Sequence, residues 1–323
     1  MNPETTPLDL NLFEHWDDDE DLWYKNNLVS LVQGDKTPTQ VAIEIDTYIT
    51  QETAKQYAVH QEYLAKQKKT KATCKENNNE EGTPVGEPNP GGHIEMVMLW
   101  IARLCTAFPP GHVGQDRIIA FLEALRALPR HEVVMASISK SEGELEDEEH
   151  VYRSLEMWPF GKGWLVLAEE FRYVSQPPPT ERDLRYRNSQ SAMVRTTALD
   201  LIDCRIYSVM EMILPFHHRW YPDLESCKEE GFNWLAGHVI AGAQWIVQPE
   251  AGRYVYRECR KVERLVTEYP RVVWSMERWR RWKDQFAFVA QEERFGERAR
   301  EVAELAHERM VALEGEEEGL GLE

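Results

Sequence analysis

Histidines, carboxylates and amides occur in this sequence at a few spacings that could do chemistry. His112 and Asp116 stand four apart in Gly111-His-Val-Gly-Gln-Asp116, which would let one helical turn offer both to a metal ion. The simpler reading is a helix start, with Asp116 close to the positive N-terminal end. Glu304-Leu-Ala-His307 has the Glu-x-x-His spacing of di-iron bundles. That chemistry needs a second such motif facing inward, and the other instance, Asp147-Glu-Glu-His150, lies in an acidic stretch. His217-His218 follow Pro215 at an expected helix end, where imidazole complements the dipole. Asp200, Asp203, Tyr207 and Glu211 would share one side of a helix, either as acid–base carboxylates or, more simply, as its wet face.

His131-Glu132-Val-Val-Met135 lacks the second histidine of a zinc-protease motif, and GxSxG, GxGxxG and phosphate-loop patterns are absent. No catalytic residue, metal site or cofactor is therefore expected.

Polar groups inside an apolar helix are the other candidates. Residues 231–248, GFNWLAGHVIAGAQWIVQ, are apolar on nearly every face except at Asn233, His238 and Gln244. The run is shorter than the ~20 residues a membrane span needs, and Gly237 and Gly242 weaken it. It reads as the buried central helix of a bundle whose neighbours press close to its glycines. A ligand pocket would take His238 and Gln244 as its fixed polar groups, with Trp245, Trp158 and Trp164 as aromatic wall and His112 and Gln115 as further lining.

The elements that must position these groups are helices. Apolar residues recur at helical spacing over residues 39–65, 94–108, 112–128, 164–171, 191–214, 253–266, 276–292 and 297–313, and no alternation suggests a sheet. The expected fold is all-α, a single antiparallel multi-helix array around 231–248. Residues 1–30 form an acidic and aromatic N-terminal segment, either a partner-binding stretch or a short helix laying Phe13, Trp16 and Trp23 on the domain. Residues 31–313 form the helical domain, with a disordered insertion at 66–92, an acidic loop at 137–150 and an exposed connection at 176–188. Residues 314–323 read as a disordered acidic tail.

Lysine and arginine number 37 against 56 acidic residues, a net charge of −19. This disfavours nucleic acid and anionic membrane and suits a basic protein partner. In the helix around Trp279 to Phe286, arginines alternate with aromatics, but Met276, Trp279, Trp282, Phe286 and Val289 fall on one stripe, which is core spacing. Five scattered cysteines make neither a zinc ribbon nor a disulfide framework. With no secretory pattern at the start, the expectation is cytoplasm or nucleus. The leading functional expectation is a non-enzymatic helical protein-interaction module; the alternative is a small-molecule-binding protein or an enzyme with a pocket near His238.

Four landmarks then carry a resemblance: Pro110-Gly-His112 through Gln115-Asp116; Trp158-Pro-Phe-Gly161; Ala243-Gln-Trp-Ile246; and Glu277-Arg-Trp279-Arg-Arg-Trp282 through Phe286. Over about residues 94–313 the chain resembles a filamentous-fungal family catalogued as a domain of unknown function. The resemblance implies an all-helical intracellular protein and no particular activity.

Overall fold

The computed structural model describes residues 5–73, 86–139, 149–174, 179–215, 221–226, 228–264 and 274–320. The all-α expectation holds: among the described residues helices dominate, accompanied by one two-stranded hairpin. The chain divides into two compact units, with boundaries inside two of its helices.

The smaller unit comprises Asp18–Met98 and Ala120–Pro159. Helix α1, Asp19–Gln33, begins at the acidic run: Asp18 caps it by accepting from the Asp21 amide at 2.9 Å, and Asp19, Glu20 and Asp21 fill its first turn. That run is therefore a helix N-terminus with its dipole complemented. Gly34, at φ 88°, ends the helix in the left-handed conformation glycine adopts freely. Helix α2, Pro38–Thr73, packs on α1, burying Val41, Ile45 and Ile49.

The expected insertion at 66–92 is thus too wide at both ends. Helix-favouring Lys, Gln and Ala carry α2 on to Thr73. Helix α3, Pro90–Ala107, starts four residues before the expected position because the Asn89 side chain caps the Gly92 amide at 3.0 Å with Pro90 in the first turn. Residues 74–85 lie outside those described.

The hairpin is a correction. Strands β1, Glu132–Ser139, and β2, Glu149–Glu156, pair antiparallel from Glu132 opposite Glu156 to Ser139 opposite Glu149, where a loop was expected from 137 to 150. Val133, Val134, Ile138, Val151 and Tyr152 supply the β-branched and aromatic content, but neighbouring apolar residues at Val133-Val134-Met135 and Val151-Tyr152 break the alternation. The remaining loop residues, 140–148, are outside those described.

The larger unit comprises Met1–Asp17, Leu99–Ile119 and Phe160–Glu323. Helix α4, Val113–Ala127, crosses the boundary. Helix α5, Val166–Tyr173, is followed by α6, Pro179–Ala198. Two expectations fail at α6. The stretch called an exposed connection is its first half, and the helix expected to run to Leu214 stops at Ala198. Asp200 takes φ 54°, and the chain continues through 3-10 turns at Arg205–Tyr207 and Val209–Glu211.

The expected central helix is α7, Lys228–Gly242, then a separate turn α8, Gln244–Val247. Its glycines do meet close neighbours: a Cβ on Gly237 would lie 3.1 Å from Asp183 Oδ1, and one on Gly242 3.4 Å from Met210 Sδ. Helix α9, Pro249–Arg260, starts four residues before the expected position because Pro249 opens it.

Helices α10, Met276–Gln291, and α11, Glu297–Leu320, pack together, and the stripe of Trp279, Trp282, Phe286 and Val289 is fully buried. Helix α11 runs through the expected tail because its acids find partners. Glu314 accepts from Trp279 Nε1 at 2.8 Å and pairs with Lys283 at 2.6 Å, and Glu316 pairs with Arg309 at 2.8 Å. No described helix is long and apolar enough to cross a membrane.

Candidate ligand cleft and the polar core

The site is best built from α6. From Arg185 to Thr197 the sequence is RYRNSQSAMVRTT, yet every residue except Tyr186 and Arg195 is buried. Polar atoms can be buried cheaply only if they bond one another, and Gln115 of α4 is the hub that allows it. Its Nε2 donates to the carbonyls of Phe108 at 3.3 Å and Asn188 at 3.2 Å. Its Oε1 accepts from Ser191 Oγ at 3.0 Å and Arg195 at 3.1 Å. Asn188 Nδ2 donates to the Thr106 carbonyl at 2.9 Å, tying α6 to the end of α3. Gln190 Oε1 accepts from Trp245 Nε1 at 2.6 Å, and Gln248 donates to Ser191 at 2.7 Å.

Where this belt reaches Thr106 it opens into a cleft of about 440 Å³, lined by Asn11, Phe13, Glu14, Leu99, Arg103, Thr106, Tyr173, Val174 and Arg185. The N-terminal stretch forms one wall. The Leu8 amide donates to the Ala107 carbonyl at 2.9 Å, Leu12 is buried, and Asn11 turns the chain at φ 48° while its amide bonds Asp9 Oδ1 at 3.2 Å. Asparagine tolerates that left-handed geometry. Arg185 is 2 % exposed, and its guanidinium donates to the Asp9 carbonyl at 2.9 Å and to Thr106 Oγ1 at 3.4 Å. Arg103, about a third exposed, pairs with Glu14 at 2.9 Å. Phe13 and Tyr173 are 49 % and 64 % exposed at the cleft.

A family model described as "Protein of unknown function (DUF3632)" matches residues 96–286. The chain belongs to this family. No curated protein and no solved structure matches it. In this DUF3632 chain, Arg103, Thr106, Tyr173, Arg185 and the Gln115 hub lie within the matched span, whereas Asn11, Phe13 and Glu14 lie outside it.

The residues singled out from sequence fall as follows. Gln115 is the hub just described. His112 stacks on Phe108 at 5.0 Å and accepts the Gly114 amide at Nδ1, 2.9 Å away, while Asp116 turns to Arg195 at 2.7 Å. The two therefore hold different partners, and no described group of three or more His, Cys, Asp and Glu side chains could hold a metal. Trp245 is fully buried, edge-on to Trp274 at 5.4 Å. Gln244 donates to the Ile240 carbonyl at 3.2 Å. His238 donates from Nδ1 to the Trp234 carbonyl at 2.7 Å, stacked on Trp234 and edge-on to Tyr186. Tyr186, in turn, has its phenol pushed up to about 12 by burial. Trp164 is half-buried against Phe160. His238, Trp245 and Gln115 meet α6 at Tyr186, Gln190 and Ser191, but none of the seven lines the cleft.

Trp158 belongs to the smaller unit. It takes φ 54°, is buried, and donates to Asp46 Oδ1 at 2.7 Å. Asp46 also meets His131 Nε2 at 3.3 Å, and Thr50 Oγ1 lies 3.3 Å from the same nitrogen. A nucleophile–base–carboxylate relay needs its carboxylate on the other ring nitrogen. Here Nδ1 is 3.1 Å from the Pro129 carbonyl instead.

Of the expected carboxylate face, Glu211 pairs with Arg278, both buried. Burial and the nearby Arg281 charge lower the Arg278 guanidinium to about 10, so it stays charged at neutral pH. Burial opposes ionisation of Asp203, but hydrogen bonds from Arg205 at 2.6–3.1 Å prevail and hold its carboxyl below the usual range. With no helix beneath them, these carboxylates do not act together. His217-His218 lie outside the described residues, and Glu304 is exposed. Cys105, Cys204 and Cys259 are buried free thiols whose pKa burial raises, which leaves them inert.

The cleft residues were missed because they are scattered along the chain. One signal was available: Arg103 is the charged interruption in the apolar run Leu99–Cys105.

Proposed function

We propose that this DUF3632 chain is a non-enzymatic helical binding protein and that a small anionic ligand seats in the Arg103–Arg185 cleft. One observation carries the reading. On a chain of net charge −19, two guanidinium groups against one carboxylate line a half-open cleft with aromatic walls. Its about 440 Å³ falls in the size range of small-ligand sites, which combine apolar walls with a few fixed polar groups. The lining offers charge and hydrogen-bond donors. Its one carboxylate, Glu14, is held by Arg103 rather than poised as a base. The buried free thiols support the expected reducing compartment, the cytoplasm or nucleus. Native against denaturing mass spectrometry, with thermal shift against anionic and neutral small molecules, tests the reading. Stabilisation confined to anions supports it; equal response to neutral analogues contradicts it.

A second reading, a docking face for a basic protein, is favoured by Phe13 and Trp16, 49 % and 66 % exposed on a chain of net charge −19. A pull-down in which Trp16→Ala alone abolishes capture of a basic partner would select it.

A further inference from the structure

We infer that the end of α3 and the start of α6 form a recognition groove for an extended, leucine-rich acidic peptide of the pattern Leu-x-Leu-x-Leu-x-Glu. In this chain the groove is filled by its own residues 8–14, and it opens to such a segment of a partner protein when that arm leaves. The inference goes beyond the small-ligand reading and stands whether or not a small anion enters the cleft.

The arm alternates along its length. Leu8, Leu10 and Glu14 are half-buried and Leu12 is buried, whereas Pro7, Asp9, Asn11 and Phe13 are exposed. Residues 7–14 are neither helix nor strand, and Asn11 bends the backbone at φ 48°. Alternate side chains turned to one side are what an extended chain offers to a surface.

The groove meets both the main chain and the side chains of the arm. The Leu8 amide donates to the Ala107 carbonyl at 2.9 Å, and Arg185 donates to the Asp9 carbonyl at 2.9 Å. Arg103 pairs with the Glu14 carboxylate at 2.9 Å. Both arginines thus find acceptors on the arm, one a carbonyl and the other a carboxylate. Main-chain bonds that give affinity, with sites for alternate side chains that give specificity, are the means by which proteins bind extended peptides.

Groove and arm are also separate in the family match. Arg103, Ala107 and Arg185 lie within residues 96–286, and the arm lies outside them. The matched domain therefore contains the groove without the segment that fills it.

The hold on the arm is slight. Leu12 is the one buried side chain among residues 5–17, and Glu14 and Arg103 are each 31 % exposed. Segments with so little buried apolar surface open at the low end of local stability. Exposed His15 and Trp16 join the arm to α1, so it can leave without unwinding a helix. A tethered arm competes at an effective concentration on the order of millimolar, which sets the threshold an incoming segment must exceed.

The test is fluorescence anisotropy with a labelled peptide of residues 5–17 and the full-length chain. A chain whose arm is weakened by Leu12→Ala and Glu14→Gln should bind the peptide at least about ten-fold more tightly than the wild type, whose own arm occupies the groove. A scrambled peptide should not bind. Adding Arg103→Glu to the weakened chain should cut binding at least about ten-fold, and a peptide carrying Glu14→Lys should restore it. That rescue separates contact in the groove from damage to the fold. If the double variant fails to fold, Glu14→Lys alone loosens the arm through its half-exposed ion pair and takes its place. Equal or absent peptide binding by wild-type and weakened chains makes the arm a fixed part of the fold and overturns the groove. Equal binding of the scrambled peptide overturns the pattern. Small anions that stabilise the wild-type chain while no peptide binds keep the small-ligand reading and overturn this one.

Discussion

Helices α6 and α7 lie side by side and reverse what their compositions suggest. Helix α7 is the apolar one, yet Asn233 is exposed, and Trp234, Ala236, His238 and Ile240 are only half-buried. Helix α6 is rich in Arg, Asn, Ser, Gln and Thr, yet from Arg185 to Thr197 it is almost completely buried. Hydropathy measures the cost of leaving a side chain in water, whereas burial of α6 depends on whether its polar atoms meet partners on other helices. Gln115, Thr106, Trp245 and Gln248 provide them. A helix of this kind specifies its neighbours through bond directions as well as shape, and the cleft opens beside the buried Arg185 at one end of the polar belt.

The comparison can be broken first at the buried ion pair just beyond α6. Arg278→Met strands Glu211 in the interior and should cost about 3–5 kcal/mol in denaturant unfolding. Adding Glu211→Leu should recover much of that loss; a double variant as unstable as the single one would show that the pair is not the cause. Gln115→Leu removes a hub that satisfies two carbonyls and two donors and should cost about 3 kcal/mol. A cost below about 1 kcal/mol would show that α6 does not depend on the hub. His238→Ala removes a ring stacked on Trp234 and should cost only about 1 kcal/mol, leaving ligand binding in the cleft intact. Lost binding with intact stability would move the site to α7.

The smallest effect sharpens the contrast in the other unit, at Glu20. Burial raises its carboxyl pKa against the opposing pull of His93, with Glu52, Asp18 and Asp21 adding repulsion. The folded chain therefore holds this proton to higher pH than the unfolded chain. The associated stability is complete below the unfolded value and is lost as pH rises through the raised one. Glu20→Gln should raise the melting temperature at pH 7 by at most about 2 °C, and the gain should vanish as pH falls through the raised value. A gain identical at pH 4 and pH 7 would contradict this.

The elements read most accurately from sequence are those whose signals are local. Ser275 caps α10, and its aromatic stripe is buried as the period predicts. The capping signals at Asp18 and Asn89-Pro90 were equally local but were masked by the acidity and low complexity around them. The hairpin and the helical Glu314–Leu320 depend on partners distant in sequence, whereas α6 ends in local backbone bonds from Asp200 and Leu201 to Thr197 and Thr196. Among candidate site residues, Gln115, expected as pocket lining, is the bonded hub between α4 and α6, because one buried amide at a helix start must find bonds somewhere. The cleft itself joins residues 11–14, 99–106, 173–174 and 185, a set that no spacing rule connects.

The central claim, that the Arg103–Arg185 cleft seats a small anion, is tested most directly by a crystal structure of the protein with a small aromatic anion such as 3-phenylpropionate. The account predicts the carboxylate within hydrogen-bond reach of the two guanidinium groups and the phenyl ring against Phe13 and Tyr173. A probe seated elsewhere, for instance on the Trp234–His238 face of α7, with the cleft empty, would contradict it.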